Sequence, residues 1–127
     1  MSVLVDTSVW VDYFRGAGSA EIVDRLVEEN LVAVNDLILA EIIPPLHLRR
    51  EKTLIALLRE IKRHPISIDW DDIIQMQITC LRNGINGVGI PDLIIAQNAI
   101  QNHLHLLAYD RHFALMSERV PLTIYGK

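Results

Sequence analysis

Two acidic residues closely follow short apolar runs that are typical of buried strands. Asp6 comes directly after Val3-Leu4-Val5, and Asp110 follows the run from His105 to Ala108 after a single tyrosine. Such runs suit the central strands of a parallel sheet, which is covered on both faces and needs no polar alternation. The carboxyl ends of parallel strands lie at one edge of the sheet, where open α/β folds bind ligands. The sequence therefore predicts that both carboxylates lie at the functional edge.

Two further acids belong to predicted helices near the same edge. Pro91 marks a helix start, so Asp92 lies in the first turn, where the helix dipole favours an anion. Glu41 interrupts an apolar helix that follows Asn35-Asp36, and a carboxylate in such a stretch needs a partner charge or a metal if it is buried. The local sequence patterns therefore single out four acids, which are Asp6, Glu41, Asp92 and Asp110.

Four carboxylates that converge repel one another unless a cation lies between them. Oxygen ligands without a cysteine or an ordered histidine pair favour Mg²⁺ or Mn²⁺ over zinc. The chemistry of such a site is the activation of water against a phosphoryl group. The residue types thus predict metal-assisted hydrolysis of a phosphate ester.

The composition predicts one globular domain spanning residues 1–127. Half of the residues are hydrophobic and 22% are charged, and the net charge is −4. That charge argues against a protein that simply coats nucleic acid, and the slight excess of apolar residues suggests a partner surface. No apolar run is long enough for a membrane span, and Asp6 interrupts the only place for a signal peptide, so we expect a cytoplasmic protein without membrane contact. Cys80 is expected to be a small apolar core residue.

Basic residues are concentrated in one part of the chain. Six of the twelve lie between Arg49 and Arg63. A cluster of this kind is usually a solvated helix face, but it can also contact phosphates. The candidate RNA contacts are Arg15, Arg49, Arg50 and Lys52.

The remaining pattern alternates between strands and helices along the chain. Strands are predicted at residues 3–5, 31–34, 66–68, 105–108 and 122–124. Helices are predicted at residues 9–14, 20–29 (capped by Ser19), 37–43 (ended or kinked by Pro44-Pro45), 54–61, from about 70 to 82, 91–99 and 111–117. Two apolar faces are expected to pack on the core: Leu54, Leu57, Leu58 and Ile61 in one helix, and Ile74, Ile78 and Leu81 in the next.

Each of the four acids stands in its own local block, and the blocks together resemble the PIN-domain family. The likeness is greatest to the VapC toxins of type II toxin–antitoxin pairs, and it runs from residue 3 to about residue 124. The blocks are Val3-Leu4-Val5-Asp6-Thr7-Ser8, Leu39-Ala40-Glu41-Ile42, Ile90-Pro91-Asp92-Leu93-Ile94-Ile95-Ala96 and Leu106-Leu107-Ala108-Tyr109-Asp110-Arg111-His112-Phe113.

This resemblance implies a three-layer α/β fold with a central parallel five-stranded sheet in the order 3-2-1-4-5, flanked by helices. It implies a Mg²⁺- or Mn²⁺-dependent endoribonuclease whose metal-binding and catalytic acids are Asp6, Glu41, Asp92 and Asp110, with Thr7 or Ser8 in support. It also implies an RNA substrate, a homodimer and a cognate VapB-like antitoxin whose C-terminal segment lies in the active-site groove. One departure is Ala108, where many relatives carry Thr or Ser, so we expect support for Asp110 to be weaker or to come from Ser8 or Asn98.

Other functions fit the sequence less well. A phosphotransfer receiver domain needs paired acids after its first strand, and a haloacid-dehalogenase-type phosphatase needs an acid where Ser8 stands. The alternative that stays open is a binding module without turnover, whose acidic pocket holds a basic partner segment. Asp12 and Asp36 are expected to be solvated or capping residues, and His112 is expected to have a packing or surface role.

Overall fold

The structure is a computed structural model that describes residues 1–16, 18 and 20–126. Its centre is an all-parallel sheet of five strands in the order β3-β2-β1-β4-β5, as the resemblance implied. Ser19, the expected cap of the second helix, lies outside the described residues. The strands are β1 (Val3–Val5), β2 (Val32–Val34), β3 (Lys62–Arg63), β4 (His105–Leu107) and β5 (Thr123–Ile124).

Seven helices flank the sheet in the described part of the chain. All three residues of β1 and all three of β2 are buried, so helices cover both faces of the sheet centre. The helices are α1 (Thr7–Phe14), α2 (Ala20–Glu28), α3 (Asp36–Leu48), α4 (Lys52–Glu60), α5 (Trp70–Arg82), α6 (Ile90–Gln101) and α7 (Arg111–Met116). None of these helices is both long and apolar enough to cross a membrane.

The predicted third strand is wrong in position. The sequence pointed to residues 66–68, but β3 is Lys62–Arg63, which pairs with Ala33 and Val34 of β2. Both β3 residues are exposed, as suits charged residues on an edge strand. The preceding helix therefore ends at Glu60, four residues before His64, because the chain enters the sheet as soon as it reaches Lys62.

Pro44-Pro45 was predicted to end or kink the third helix. The prolines do not end it, because α3 continues to Leu48. The prolines remove the hydrogen bonds to the carbonyls of Ala40 and Glu41, but both of these residues are exposed to water. The buried side chains Ile38, Ile42 and Leu46 recur along the other face of the helix. Tertiary packing of that face thus outweighs the two lost backbone bonds.

Two predicted apolar faces are only partly correct. In α4, Leu58 is buried but Leu57 is 57% exposed. In α5 the predicted face is wrong, since Ile74 and Leu81 are more than half exposed. The residues of α5 that enter the core are Ile73, Met76 and Cys80.

Cys80 is 1% exposed and packs in the core, as expected for a small apolar residue. Its burial raises the pKa of the thiol, so the reactive thiolate is disfavoured.

Buried amides fix α6 against the segment between β3 and α5. Asn98 accepts a hydrogen bond from Asn35 at 3.0 Å and donates one to the carbonyl of Pro65 at 3.0 Å. The neighbouring Gln97 accepts a hydrogen bond from the backbone N–H of Asp69 and donates one to the Asp69 carbonyl. These bonds replace the ladder that a strand at residues 66–68 would have formed, and they hold α6, which carries Asp92.

We expect Asn98→Ala to lower the free energy of unfolding by about 2–4 kcal/mol, because it leaves the buried amide of Asn35 and the Pro65 carbonyl without their partners. Urea unfolding followed by circular dichroism measures the change. Gln101→Ala is the matched control, because that exposed amide on the same helix bonds the carbonyl of Ser67, and its loss should cost no more than about 0.5 kcal/mol. Equal decreases in the free energy of unfolding of the two variants would contradict the larger contribution proposed for the buried hydrogen bonds.

Candidate metal centre

Asp6 lies at the junction of β1 and α1, where the sheet edge meets a helix N-terminus. Its backbone N–H extends the ladder to β4 by bonding the carbonyl of Leu107 at 2.9 Å. Its carboxylate caps α1 by accepting hydrogen bonds from the N–H of Ser8 at 3.1 Å and from the Ser8 hydroxyl at 2.6 Å. The side chain is only 5% exposed, so its orientation is fixed.

The two hydroxyls after Asp6 connect it to the other acids. The Thr7 hydroxyl donates a hydrogen bond to Oε1 of Glu41 at 2.7 Å, which links the start of α1 to α3. The Ser8 hydroxyl accepts from the N–H of Tyr109 at 3.1 Å, one residue before Asp110. Thr7 and Ser8 thus bond different partners, and each positions a different acid.

Asp110 lies beyond the end of β4 and caps α7, accepting a hydrogen bond from the N–H of His112 at 2.9 Å. Because β1 and β4 are hydrogen-bonded neighbours, the two strand-end acids Asp6 and Asp110 stand side by side at the sheet edge. The expectation that Ser8 or Asn98 supports the Asp110 carboxylate is not met by any hydrogen bond between the described residues. The His112 backbone supplies that support instead.

Asp92, in the first turn of α6, completes the group. Burial raises the pKa of its carboxyl group, and the negative charges of Asp110, Asp6 and Glu41 raise it further, against a smaller opposing effect of His112. The other three acids named from the sequence thus lie near enough to Asp92 to affect its charge, whereas of the four only Asp92 and Asp110 belong to a cluster of three or more described residues whose ligand atoms lie within 4.8 Å of one another. No described lysine or arginine forms an ion pair with any of them.

His112 lies beside two of these acids, although the sequence favoured a packing or surface role for it. A ligand atom of its ring lies within 4.8 Å of one from Asp92 and one from Asp110, so the three could share a cation. Its Nδ1 is 2.9 Å from Oδ1 of Asp110, although the two atoms are not aligned for a hydrogen bond. The sequence feature that could have pointed to His112 is its position two residues after Asp110, at the start of a predicted helix.

This donor set fits a hard divalent cation. Carboxylate oxygens dominate it, and mutual repulsion of the acids, which raises the pKa of Asp92, would be relieved by positive charge among them. The site is an acidic candidate metal centre at the carboxyl edge of a parallel sheet.

The structure divides the four basic candidates between two surfaces. Arg15 and Arg49 line one cavity between α1 and α3, whereas Arg50 and Lys52 line another one between α3 and α4. Asp36 is exposed and pairs with Arg63 at 3.2 Å.

Comparisons with known proteins agree with this fold. The sequence matches the PIN domain family over residues 3–118, so the chain belongs to that family. A search of curated proteins finds no significant match.

Solved structures with a similar fold include three bacterial complexes. One is VapBC2 from Rickettsia felis bound to a promoter DNA fragment, with a TM-score of 0.73, 18% identity, and coverage of 98% of this chain and 96% of that one. DNA-bound VapBC from Salmonella typhimurium gives a TM-score of 0.74 at 17% identity with the same coverage. FitAcB from Neisseria gonorrhoeae gives 0.70 at 19% identity, again with coverage of 98% and 96%. At these identities the likeness is one of fold.

Proposed function

We propose that this PIN domain is a Mg²⁺- or Mn²⁺-dependent endoribonuclease that acts as the VapC-like toxin of a toxin–antitoxin pair in the cytoplasm. The observation that carries the proposal is the geometry of the sheet edge: Asp6 and Asp110 follow the ends of neighbouring strands, and ligand atoms of Asp92, Asp110 and His112 lie within 4.8 Å of one another. Glu41 is linked to the start of α1 by the hydrogen bond from Thr7, and no lysine or arginine among the described residues pairs with any of the four acids. Such an arrangement suits a cation-dependent reaction at a phosphodiester.

The roles of the residues follow from their contacts. Asp6, Glu41, Asp92 and Asp110 hold the cation, while Ser8 fixes Asp6 and Thr7 fixes Glu41. When bound, Mg²⁺ or Mn²⁺ neutralises charge on the phosphoryl oxygens and lowers the pKa of a coordinated water. Hydrolysis forms one bond from the water oxygen to phosphorus and breaks the bond from phosphorus to the leaving ribose oxygen.

The direct test is cleavage of total cellular RNA by the purified protein, free of antitoxin, in Mg²⁺ or Mn²⁺. EDTA and the Asp92→Asn variant are the controls, and both should abolish cleavage. End mapping of the products would then give the cleavage site. Cleavage that persists in EDTA, or equally in Asp92→Asn, would contradict the metal centre, and its absence under all conditions would favour a binding module without turnover.

We also propose that the partner is a VapB-like antitoxin with a basic segment for the acidic groove, since the structures named above are toxin–antitoxin complexes. An apolar cleft of about 240 Å³ between α1, α2 and α4 offers a hydrophobic anchor for the same chain. Its rim includes Val27 and Leu57, which are 49% and 57% exposed. The protein purified with its antitoxin should be inactive and should regain cleavage when the antitoxin is removed, and equal rates in both forms would contradict this role.

A homodimer is the proposed assembly. Trp70, Ile74 and Leu81 are each more than half exposed and lie on α5, where they form an apolar surface that the described residues leave open to solvent. A second copy that covers it would bury this surface from water. Sedimentation equilibrium should give twice the monomer mass, and a monomer at all concentrations would exclude the dimer.

A further inference from the structure

We propose that the cleft between α1 and α3 is a phosphate-binding subsite, in which Arg15 and Arg49 hold the backbone of the RNA strand a few nucleotides away from the bond that is cut. The inference rests on the proposed nuclease function for the identity of the ligand. It assigns the two arginines a positioning role, away from the reacting atoms.

The cleft lies along α1 and α3 and is lined by none of the four acids; its lining residues nearest in sequence to Thr7 and Glu41 are Val11 and Ile42. Helices α1 and α3 both begin at the carboxyl edge of the sheet, and the hydrogen bond from Thr7 to Glu41 joins them there. Arg15 lies eight residues after Thr7, and Arg49 lies eight residues after Glu41, so each arginine is about 12 Å further along its helix. That distance corresponds to roughly three phosphates of a stacked strand at about 3.4 Å each, and to fewer in an extended strand.

Both arginines line one cavity of about 220 Å³. Each is exposed, and neither forms an ion pair with a described residue, whereas Arg25 and Arg63 are paired with acids. A cation at a helix C-terminus is favourable in itself, which would explain either residue alone. It does not explain why two unpaired guanidinium groups from different helices face the same cavity. Guanidinium groups match phosphate geometry closely.

The floor of the cavity suits a single nucleic-acid strand. It is apolar and contains an aromatic ring, and grooves that track single strands combine such surfaces with backbone-binding cations. The residues of this floor are Val11, Phe14, Ile42, Pro45 and Leu46. Arg50 and Lys52 line a separate cavity with His47, so they are not part of this subsite.

The first test measures binding apart from cleavage. A fluorescein-labelled oligouridine is titrated by anisotropy into Asp6→Asn protein and into the same protein with Arg15→Gln and Arg49→Gln, over a range of salt concentrations. The arginine substitutions should weaken binding roughly tenfold or more and should lower the slope of log K against log salt by about 1.4, that is, about 0.7 for each lost phosphate contact. The matched control carries Arg25→Gln and Arg119→Gln, which remove the same charge from exposed positions outside the cleft and should leave the slope unchanged.

The second test uses active protein and substrates lengthened one nucleotide at a time on each side of the cleavage site. In wild type, kcat/KM should rise when a phosphate reaches the arginines, mainly through KM. The double arginine variant should cleave the shortest substrates normally and should lose that rise. Wild-type affinity and salt slope in the arginine variant would overturn the proposed subsite. Weakened binding by that variant, with no cleavage by any form of the protein, would support the subsite but contradict the proposed nuclease function.

Discussion

Asp6→Asn should reduce metal-dependent RNA cleavage by about 10²- to 10³-fold while the protein stays folded. The cation contributes several kcal/mol of charge stabilisation in such reactions, and about 1.4 kcal/mol corresponds to a factor of ten. The substitution removes one of the negative charges that hold the cation. It keeps an oxygen that can accept the hydrogen bonds of Ser8, because asparagine caps helices about as well as aspartate.

The measurement is the rate of RNA cleavage, together with Mn²⁺ affinity from titration calorimetry and a circular dichroism spectrum. Asp36→Asn is the matched control, since Asp36 also follows a strand end at a helix start but is exposed and paired with Arg63. It should retain wild-type activity. Ser8→Ala should give an intermediate loss of about 10- to 100-fold, because it removes the group that orients Asp6. A wild-type rate of RNA cleavage by Asp6→Asn would contradict the assignment of the metal centre.

The placement of Asp6 and Asp110 at one edge of the sheet could be predicted because its signals are local. Asp6 and Asp110 each follow a run of buried apolar residues, and a parallel sheet brings strand ends to one edge whatever the intervening chain does. That the two strands are neighbours came from the resemblance to the PIN-domain family, since strand order depends on crossovers that no local pattern encodes. The hydrogen-bonded pairing of β1 with β4 confirms this order.

The failures occur where distant contacts override local preference. Lys62–Arg63 has no apolar signal, and it is a strand only because the exposed edge of β2 offers backbone partners to it. The α5 sequence has apolar residues on more than one face, so periodicity alone could not choose Ile73 over Ile74. His112 lies beside Asp92 and Asp110 because α7 begins next to the start of α6, and that proximity is a property of the folded chain.

Asp92→Asn should make the metal-free protein more stable at neutral pH by a few degrees in melting temperature. The wild-type carboxylate is held in a buried position near three other acids, and this raises its pKa in the folded state. Below the usual carboxyl pKa of 3.8 the group is protonated in both states, so it costs nothing. As pH rises through the raised folded-state pKa, the folded protein must ionise it at a cost, and stability falls. Asparagine carries no charge and avoids this cost.

Thermal melts in EDTA that start below pH 3.8 should therefore show a gap between the two proteins that opens as pH rises above 3.8 and becomes constant once the folded-state carboxyl group is ionised. Mg²⁺ should reverse the order, because it binds the folded wild type and stabilises it in proportion to the logarithm of its concentration. Asp71→Asn is the control, since this acid lies in the first turn of α5 without a buried acidic neighbourhood and its loss should slightly destabilise the protein. If metal-free Asp92→Asn melts below wild type throughout, then capping of α6 outweighs repulsion, and the acids do not form the unneutralised cluster that a cation would complete.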